Sequence, residues 1–388
     1  MDAEFIISGG GIGGTVLAHL LARGGKKVLV IEKALKPPTF VRPEGLWPET
    51  AALLKTLLPN KSVGEAWIPL KGLRAYEGER ELLSETEENF DHAGVTLAMT
   101  DPNQTREQLL KLGTFELKRG VEVIGVLKDG SRITGVKTKD TQSGVLREYR
   151  APWTIGDDGV NSRIREACGI ALHTQIFPVD FMAFGFAWPK SLPQAVVNIF
   201  LNKERTKTGI VALAAFPMPQ GRGAALLPVR GKAFDRVQDQ AGAWKRFLAQ
   251  NPQLAKVGAG IEFPQKVARI QRPWGHAERY GTDGAALMGD AAHPVSPVGG
   301  QGANMSVADA RVLAEVFLSG KKKVIEEYEK RRRPANERSV SFTRRGAQLL
   351  NLPAVMVNTL LPLGLRWING HPETFERGVK AASRAFAE

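Results

Sequence analysis

The sequence contains few cysteines, histidines and tyrosines. One cysteine, Cys168, stands among 388 residues, so no disulfide can form within the chain, and the six histidines form no zinc-finger spacing with that single thiol. Four tyrosines and the lack of an RNP-like segment argue against a module that stacks nucleic-acid bases on aromatic side chains. These absences exclude disulfide-stapled and zinc-dependent folds and predict no nucleic-acid partner. The scarcity of cysteine is typical of a reducing compartment.

The composition is that of an ordinary globular protein. Hydrophobic residues make up 43% and charged residues 24%, which excludes a disordered chain or a coiled coil. The net charge is +13, from 53 basic and 40 acidic residues, so the surface attracts anionic ligands or anionic lipid. The acidic start of the chain is unlike a secretory signal. Glycine is in excess at 41 residues, and its clusters at 9–14 and 299–302 indicate close approach of the backbone to a ligand.

The first glycine cluster lies between two apolar segments. Residues 4–8 predict a buried parallel strand, and residues 28–31 predict a second one that ends in Glu32. Between them, residues 15–23 have the apolar spacing of a helix. The order strand, glycine turn, helix, strand and acid is the context in which a dinucleotide-binding fingerprint occurs.

Gly9, Gly11 and Gly14 form the pattern GxGxxG in that context. The three glycines permit a tight turn, backbone contact with a pyrophosphate and close packing of helix on strand. Glu32 follows Gly14 by 18 residues and can accept hydrogen bonds from ribose hydroxyls. This fingerprint predicts a dinucleotide site and by itself leaves both NAD and FAD open.

Two later segments distinguish these cofactors. Residues 156–165 read GDDGVNSRIR after a predicted strand, and residues 289–304 begin with GDAAH, contain Pro297 and end with GGQGAN. With the fingerprint, these segments resemble the group A flavoprotein monooxygenases, the FAD-dependent aromatic hydroxylase family. The resemblance covers nearly the whole chain in the right order. It implies an α/β fold like that of the p-hydroxybenzoate hydroxylases.

The resemblance and the coarse strand pattern together predict the domain organisation. A Rossmann-like FAD-binding domain is built from discontinuous segments, a β-sheet-rich substrate domain is inserted into it, and helices follow at the C-terminus. The expected boundaries are 1–65, 101–175 and 276–345 for the FAD-binding domain, 66–100 and 176–275 for the substrate domain, and 346–388 for the C-terminal helical segment.

The resemblance also implies roles for individual residues. Pro297 and Gly302 would form the catalytic surroundings of the flavin, where the helix after Gly302 directs its positive end toward the negative charge of reduced flavin. No metal site and no catalytic base are assigned. The implied cofactor-binding residues are Gly9, Gly11, Ile12, Gly13, Gly14, Glu32, Lys33, Arg42, Arg106, Asp158, Gly289, Asp290, Pro297, Gly300, Gly302, Ala303 and Asn304.

The implied activity is hydroxylation of an aromatic or polyketide-like small molecule by O2. NADH or NADPH would bind transiently as co-substrate and reduce FAD, and a flavin C4a-hydroperoxide would deliver the hydroxyl group. Two alternatives stay open, a flavin-dependent reductase acting on an isoprenoid or other hydrophobic substrate, and a non-catalytic ligand-binding relative. Against a halogenase, residues 66–69 retain only the end of the WxWxIP pattern.

Several residues have two interpretations. Met182, Phe184, Phe186 and Trp188 alternate along a predicted strand, and form either the core beneath the sheet or the aromatic wall of a substrate pocket, with the core favoured. His293 is interpreted as a loop-structuring residue rather than a proton carrier. Asp157, beside Asp158, is interpreted as a surface residue.

The C-terminal part combines basic clusters with an uncharged stretch. Residues 346–365 carry no charge and are 20 residues long, but two prolines interrupt them. Read as one helix, Gln348, Asn351 and Asn358 share one face and leucines with Met356 share the other. We expect a helix pair packed on the FAD domain or on a partner copy, in a monomer or homodimer. Peripheral contact of a cytoplasmic protein with an anionic membrane is the alternative.

Overall fold

The computed structural model describes residues 1–38, 42–176, 179–190, 192–205, 209–230, 240–252, 268–270 and 273–384. Its helices are α1 Ile12–Arg23, α2 Pro48–Leu57, α3 Asn60–Ala66, α4 Glu87–His92, α5 Pro102–Leu112, α6 Arg163–Ala167, α7 Gln240–Gln250, α8 Gln301–Leu318, α9 Val324–Leu350, α10 Ala354–Asn369 and α11 Pro372–Arg384. Its strands are β1 Phe5–Ser8, β2 Val28–Glu32, β3 Glu44–Leu46, β4 Trp67–Pro69, β5 Gly72–Glu77, β6 Arg80–Thr86, β7 Ala98–Thr100, β8 Glu116–Arg119, β9 Val121–Asp129, β10 Arg132–Asp140, β11 Leu146–Arg150, β12 Trp153–Gly156, β13 Leu172–Ile176, β14 Val179–Ala187, β15 Val196–Leu201, β16 Ala212–Met218, β17 Arg222–Arg230, β18 Ala268–Ile270, β19 Pro273–Ala277, β20 Gly281–Thr282 and β21 Ala285–Leu287.

A six-stranded sheet forms the centre of the first part of the fold. Its order is β20-β21-β12-β1-β2-β8, and all neighbours pair in parallel except β20 with β21. Every residue of β1 and β2 is buried, because helices and loops cover both faces, as parallel sheets require. The carboxyl ends of β1, β2, β12 and β21 therefore meet along one edge, where the glycine turn, Glu32 and both later motifs follow.

A seven-stranded sheet forms the second part, in the order β18-β14-β17-β16-β15-β5-β6. Only β15 and β5 pair in parallel among its described neighbours. Met182, Phe184 and Trp188 are buried on one face against Phe247 of α7, with Phe186 packed beside them. The aromatic stripe is therefore core beneath the sheet, as favoured from its alternation. Strands from both predicted substrate-domain segments build this sheet, while the exact domain boundaries stay a prediction.

Three smaller sheets connect these two parts. Strands β9, β10 and β11 form the expected antiparallel meander, which turns at Gly130 and Gly144, both at positive φ. Strands β13 and β19 form a two-stranded ribbon. Strand β7 pairs with both β3 and β4, so the region before α2 is hydrogen-bonded to the segment that precedes α5.

The C-terminal segment forms more than one helix, as expected, but its polar residues do not share one helical face. Pro353 follows the end of α9 and forms the N-cap of α10, and α9 is bent by 118° relative to the part of α10 from Val355. Gln348 and Asn358 thus lie on different helices, and the prediction that they share a polar face was wrong. Helix α10 packs on β6 of the seven-stranded sheet, and α11 packs on α4. No single helix in the described ranges combines the length and apolar composition of a membrane span, although the bent pair does so jointly.

A buried ionic network joins the loop after β21 to α8 and α9. Asp309, on α8, accepts hydrogen bonds from Arg332 Nε at 2.8 Å, Asn336 Nδ2 at 3.0 Å and the Gly289 backbone N–H at 3.1 Å. His293 Nε2 lies 2.5 Å from the same carboxylate. Burial by itself would raise the pKa of Asp309, but neighbouring His293 and Arg332 outweigh it and hold that pKa well below its ordinary value. His293 is thus bonded into the loop structure.

We expect Arg332→Met to lower the free energy of unfolding by about 3–5 kcal/mol, because it leaves the buried Asp309 carboxylate without its cation. Since the folded pKa of Asp309 lies below its unfolded value, the stability from this pair is present above about pH 3.9 and is lost as the pH falls below that. Urea titrations at pH 7 and pH 3 measure both effects.

Arg331→Met is the matched control on the same helix. Arg331 bonds Glu315 at the surface, where both side chains are partly exposed, and an exposed pair contributes about 0–1 kcal/mol. If both variants lost the same free energy of unfolding at pH 7, the buried pair would stabilise the fold no more than the surface pair does.

Candidate functional site

The turn between β1 and α1 is built so tightly that only glycine fits. Gly9 has φ +108°, and a Cβ there would lie 2.2 Å from the carbonyl oxygen of Asp157. A Cβ on Gly14 would lie 2.5 Å from the Gly9 carbonyl oxygen, and one on Gly13 would lie 1.9 Å from Ser306 Oγ. Gly11 is the N-cap of α1 and, as a glycine, makes no side-chain capping bond. Its first N–H groups are thereby available to an anion at the end of β1.

Glu32 lies at the carboxyl end of β2, beside that turn. One carboxylate oxygen accepts the Gly10 N–H at 3.0 Å and the other accepts the Ala34 N–H at 2.7 Å. These bonds fix the carboxylate and leave lone pairs for further donors, since a carboxylate accepts up to about four bonds. The side chain of Lys33 is exposed to solvent.

Asp157 joins two helices at this edge, which the sequence interpretation missed. Its Oδ2 accepts the Gly14 N–H at 2.7 Å, and its Oδ1 accepts the Ser306 hydroxyl of α8 at 3.2 Å. Burial raises the pKa of Asp157 well above its ordinary value. The predicted surface role was wrong, because the parallel pairing of β12 with β1 brings the residue after β12 directly against the glycine turn. That adjacency of strands was the missing signal.

Asp158 has a different environment from its neighbour. Its Oδ2 accepts the N–H groups of Arg163 at 2.9 Å and Ile164 at 3.3 Å, at the start of α6. Its Oδ1 is buried and has no hydrogen-bond partner within the described ranges. Burial raises the pKa of Asp158. The carboxylate therefore holds the GDDG loop in shape while one oxygen stays available to a donor.

The loop after β21 meets the same edge. Gly289 has φ +57°, and a Cβ there would lie 2.7 Å from both Asp157 Oδ1 and Ser306 Oγ. Asp290 is partly buried and close enough to Asp157 to contribute to the raised pKa of that residue. The GDDG and GDAAH motifs, distant in sequence, thus lie together against the start of α1.

Two glycines in the left-handed region start α8. Gly299 and Gly300 have φ +76° and +61°, and Gly300 is the N-cap without a capping side-chain bond. The helix begins at Gln301 and not after Gly302 as expected, so Gly302 and Ala303 lie in its first turn. A Cβ on Gly302 would touch only Val295 Cγ2, at 3.6 Å, so the protein itself does not require glycine at this position. Pro297 lies just before, partly buried.

Asn304 ties this helix start to β3. Its Oδ1 accepts the Trp47 N–H at 3.0 Å, and its Nδ2 donates to the carbonyl oxygens of Gly45 and Gly300, both at 2.8 Å. Asn304 is fully buried, so these bonds replace the water that its amide loses. The side chain therefore has a structural role, and its backbone N–H belongs to the helix.

An open cleft runs from α1 past β3 to α5. Arg106 is largely buried, bonds Glu107 through Nη2 at 3.0 Å, and has a buried Nε that bonds none of the residues described. Arg42 is exposed and lies 3.8 Å from Glu44. The residues that line the cleft are Gly11, Ile12, Pro38, Arg42, Glu44, Pro102, Asn103 and Arg106.

These features fit a phosphate-bearing dinucleotide. Uncapped N–H groups and two arginines favour anionic groups, and the glycine turn allows backbone contact with them. Arg106 Nε is buried without an acceptor among the described residues, which is costly unless a ligand oxygen accepts from it. The donor set therefore matches the anionic and hydroxylated parts of FAD.

We expect Gly14→Ala to abolish retention of the flavin, because its Cβ would lie 2.5 Å from the Gly9 carbonyl oxygen and displace the turn. The measurement is the visible flavin absorbance per chain after purification. Gly64→Ala is the matched control, since a Cβ there has nothing within 4 Å and α3 gains up to about 1 kcal/mol from alanine. Full flavin content in Gly14→Ala would contradict this assignment.

Solved structures of two monooxygenases share this fold. PqsL, described as a probable FAD-dependent monooxygenase from Pseudomonas aeruginosa, matches with a TM-score of 0.76 and 20% identity over 94% of this chain and 99% of that chain. The p-nitrophenol 4-monooxygenase PnpA of Pseudomonas putida matches with a TM-score of 0.80 and 16% identity, over 99% of this chain and 98% of that chain. At these identities the likeness establishes the fold.

Sequence relatives and a family model identify the family. Rifampicin monooxygenase of Streptomyces venezuelae is 27% identical over 360 residues, which cover 90% of this chain and 72% of the relative. A 6-methylpretetramide 4-monooxygenase of Streptomyces rimosus is 26% identical over 87% of this chain and 81% of the relative. The family model described as FAD binding domain matches residues 2–343. With the glycine turn, the two later motifs and the fold, this match shows that the chain belongs to the FAD-dependent flavoprotein monooxygenases.

Proposed function

We propose that the protein hydroxylates an aromatic or polyketide-like small molecule, using bound FAD, NAD(P)H and O2. One observation carries the proposal, namely that the uncapped starts of α1 and α8 both lie near β3. The cleft beside them contains Arg106 Nε, which has no acceptor in the part of the chain that the structure describes. When bound, FAD supplies the redox chemistry that transfers one oxygen atom from O2. The residues of the chain bind and orient the reactants and exclude water.

The first helix would hold the ADP half of the cofactor. The N–H groups at Gly11, Ile12 and Gly13 would donate to the pyrophosphate, where the positive end of the α1 dipole adds to their effect. Glu32, already fixed by two backbone donors, would accept from ribose hydroxyls. Arg106 would donate from Nε to a cofactor oxygen. Asp290, after β21, would contact the linker between the two halves.

The start of α8 would stabilise negative charge on the cofactor's ring. Gly302 has room beside it for a close ligand, because its Cβ position touches only Val295. The N–H groups of Gly302 and Ala303 are in the first helical turn and have no intrahelical acceptor. A fixed row of such donors stabilises developing negative charge without reorganisation. The hydrogen bonds of Asn304 to Gly45 and Trp47 hold these N–H groups in place beside β3.

The second face of the seven-stranded sheet is the proposed floor of the substrate cavity. On that face, opposite the core, Ala214 pairs with Leu226, and Phe216 pairs with Ala224. Gly185, paired with Ala224, is exposed, and Phe216 is partly buried. The exposed Gly185, which has no side chain, is the proposed place for a ring system. An Arg222–Asp101 ion pair of 2.8 Å holds this face against the start of α5, the helix that carries Arg106.

Names of relatives support this substrate class. They include rifampicin monooxygenase, 6-methylpretetramide 4-monooxygenase and an aromatic compound monooxygenase of Bacillus subtilis. The sequence has no second GxGxxG, so NAD(P)H would bind transiently over the same domain.

We expect Arg106→Gln to weaken FAD binding by about tenfold to a hundredfold, because a charge-assisted hydrogen bond contributes about 1.5–3 kcal/mol. Titration of apoprotein with FAD, followed by flavin fluorescence, measures the change. Arg119→Gln is the matched control, since Arg119 pairs with the same Glu107 but does not line the cleft. If both variants lost affinity equally, the effect would come from Glu107 and not from the cleft.

The test of the activity is oxygen incorporation during turnover under isotopically labelled O2. Candidate phenols and quinolones are first screened for stimulated NAD(P)H oxidation. We then expect one labelled atom in the product's new hydroxyl group and the other in water, with one NAD(P)H oxidised per hydroxylation. Product formed without O2 would indicate the reductase alternative, and no NAD(P)H oxidation with any ligand that binds would indicate a binding protein. Either result would overturn the proposal.

A further inference from the structure

Helix α10 and its junction with α9 carry an apolar surface that faces solvent. We call this the C-terminal apolar face. Its side chains are between 43% and 78% exposed, although each is large and hydrophobic. Its members are Leu349, Val355, Met356, Leu360, Leu363 and Trp367. On α10 the spacing of Met356, Leu360, Leu363 and Trp367 is that of one helical stripe.

The opposite side of α10 is already packed. Val357 is buried, and Leu361 and Leu365 pack against Leu82 and Leu201 of the seven-stranded sheet. The Ser84 N–H donates to Asn369 Oδ1 at 2.7 Å, and Arg205 Nη2 donates to the Asn358 carbonyl oxygen at 3.1 Å. These contacts fix the rotation of the helix on the sheet. The apolar stripe therefore stays outward, and protein covers the other side, so lipid cannot surround α10 as it would a spanning helix.

The stretch of sequence that carries this face has charges of one sign. Between Glu337 and Glu373 lie 35 residues with four arginines and no aspartate or glutamate. Arg338, Arg345 and Arg366 of this stretch are exposed. Arg338, Phe342, Arg345 and Leu349 follow one another at helical spacing on α9, which alternates basic and apolar side chains along one exposed line. An apolar patch on an arginine-bearing stretch without acidic residues matches a negatively charged apolar partner.

We propose that the C-terminal apolar face docks on a membrane surface that contains anionic lipid. Leucine and methionine side chains would enter the boundary of headgroups and acyl chains, and Trp367 would lie at headgroup depth. Arg345 and Arg366 would contact lipid phosphates, as flexible basic side chains do at such surfaces. A second copy of the chain fits less well, because it would bring arginine borders together on proteins that each carry a net charge of +13.

The test is sedimentation of the full-length holoprotein with vesicles. We expect binding to phosphatidylcholine vesicles containing one quarter phosphatidylglycerol and at least tenfold weaker binding to pure phosphatidylcholine. Leu360→Gln with Leu363→Gln should weaken binding at least tenfold, through loss of apolar contact. Leu146→Gln with Ile124→Gln is the matched control, since both residues are comparably exposed apolar side chains elsewhere.

The charge contribution has its own pair of variants. Arg345→Gln with Arg366→Gln should weaken binding to anionic vesicles about 25-fold, about fivefold per arginine, and raised salt should weaken the wild type in the same way. Lys55→Gln with Lys322→Gln, two exposed lysines away from the face, should leave binding unchanged. Brominated lipid should quench fluorescence in the wild type and less so in Trp367→Phe.

Four outcomes would overturn this proposal. Wild-type protein could stay in the supernatant with anionic vesicles at low salt. Both apolar pairs of variants could bind alike, which would assign binding to charge alone. Retention on vesicles after alkaline carbonate would indicate insertion instead of docking. Sedimentation velocity could reveal a dimer that Leu360→Gln with Leu363→Gln dissociates, and a second copy would then cover the face. Flavin content and unfolding midpoint of each variant establish that the fold is unchanged.

Discussion

Close packing of α1 against α8 is the contact on which the site depends. Gly13 faces Ser306 with no space for a Cβ, and Asp157 bonds the Gly14 N–H on one helix and the Ser306 hydroxyl on the other. Since both helices start at the same sheet edge, their approach brings two positive helix ends together. A bulky side chain at Gly13 or Gly14 would push α1 and α8 apart, and their N–H groups would then no longer face the same anion.

Two buried carboxylates hold this edge in different ways. Asp157 has a raised pKa because burial dominates, whereas Asp309 has a lowered pKa because Arg332 and His293 outweigh burial. Asp309 therefore acts as a permanent anion that anchors the loop after β21 to α8 and α9. Its rigid support explains how Gly289 and Asp290 stay beside α1 although they are far away in sequence.

The C-terminal helices connect the two sheets and also shape the outside of the molecule. Helix α10 lies on the seven-stranded sheet, while Val379 and Ala382 of α11 reach the cluster around Trp47 and Val295, next to the start of α8. The same segment thus supports the flavin side of the fold and exposes an apolar, arginine-bordered stripe. Packing on one side of α10 leaves the other side available to a partner.

The sequence by itself determined the elements whose signals are local. Glycine spacing, buried strands and turn residues predicted β1, α1, β2 and the meander of β9 to β11, because backbone freedom and periodicity depend on near neighbours. The family followed from the resemblance of three short motifs, which are also local in sequence. Tertiary structure alone decided what depends on contacts between distant segments. Parallel pairing of β1 with β12 put Asp157 against Gly14, contrary to its predicted surface role. Pro353 and the sheet beneath α10 likewise decided which face of the C-terminal segment is exposed, since a helix buries whichever side its neighbour covers. That neighbour is far away in sequence, since Ser84 is 285 residues from Asn369.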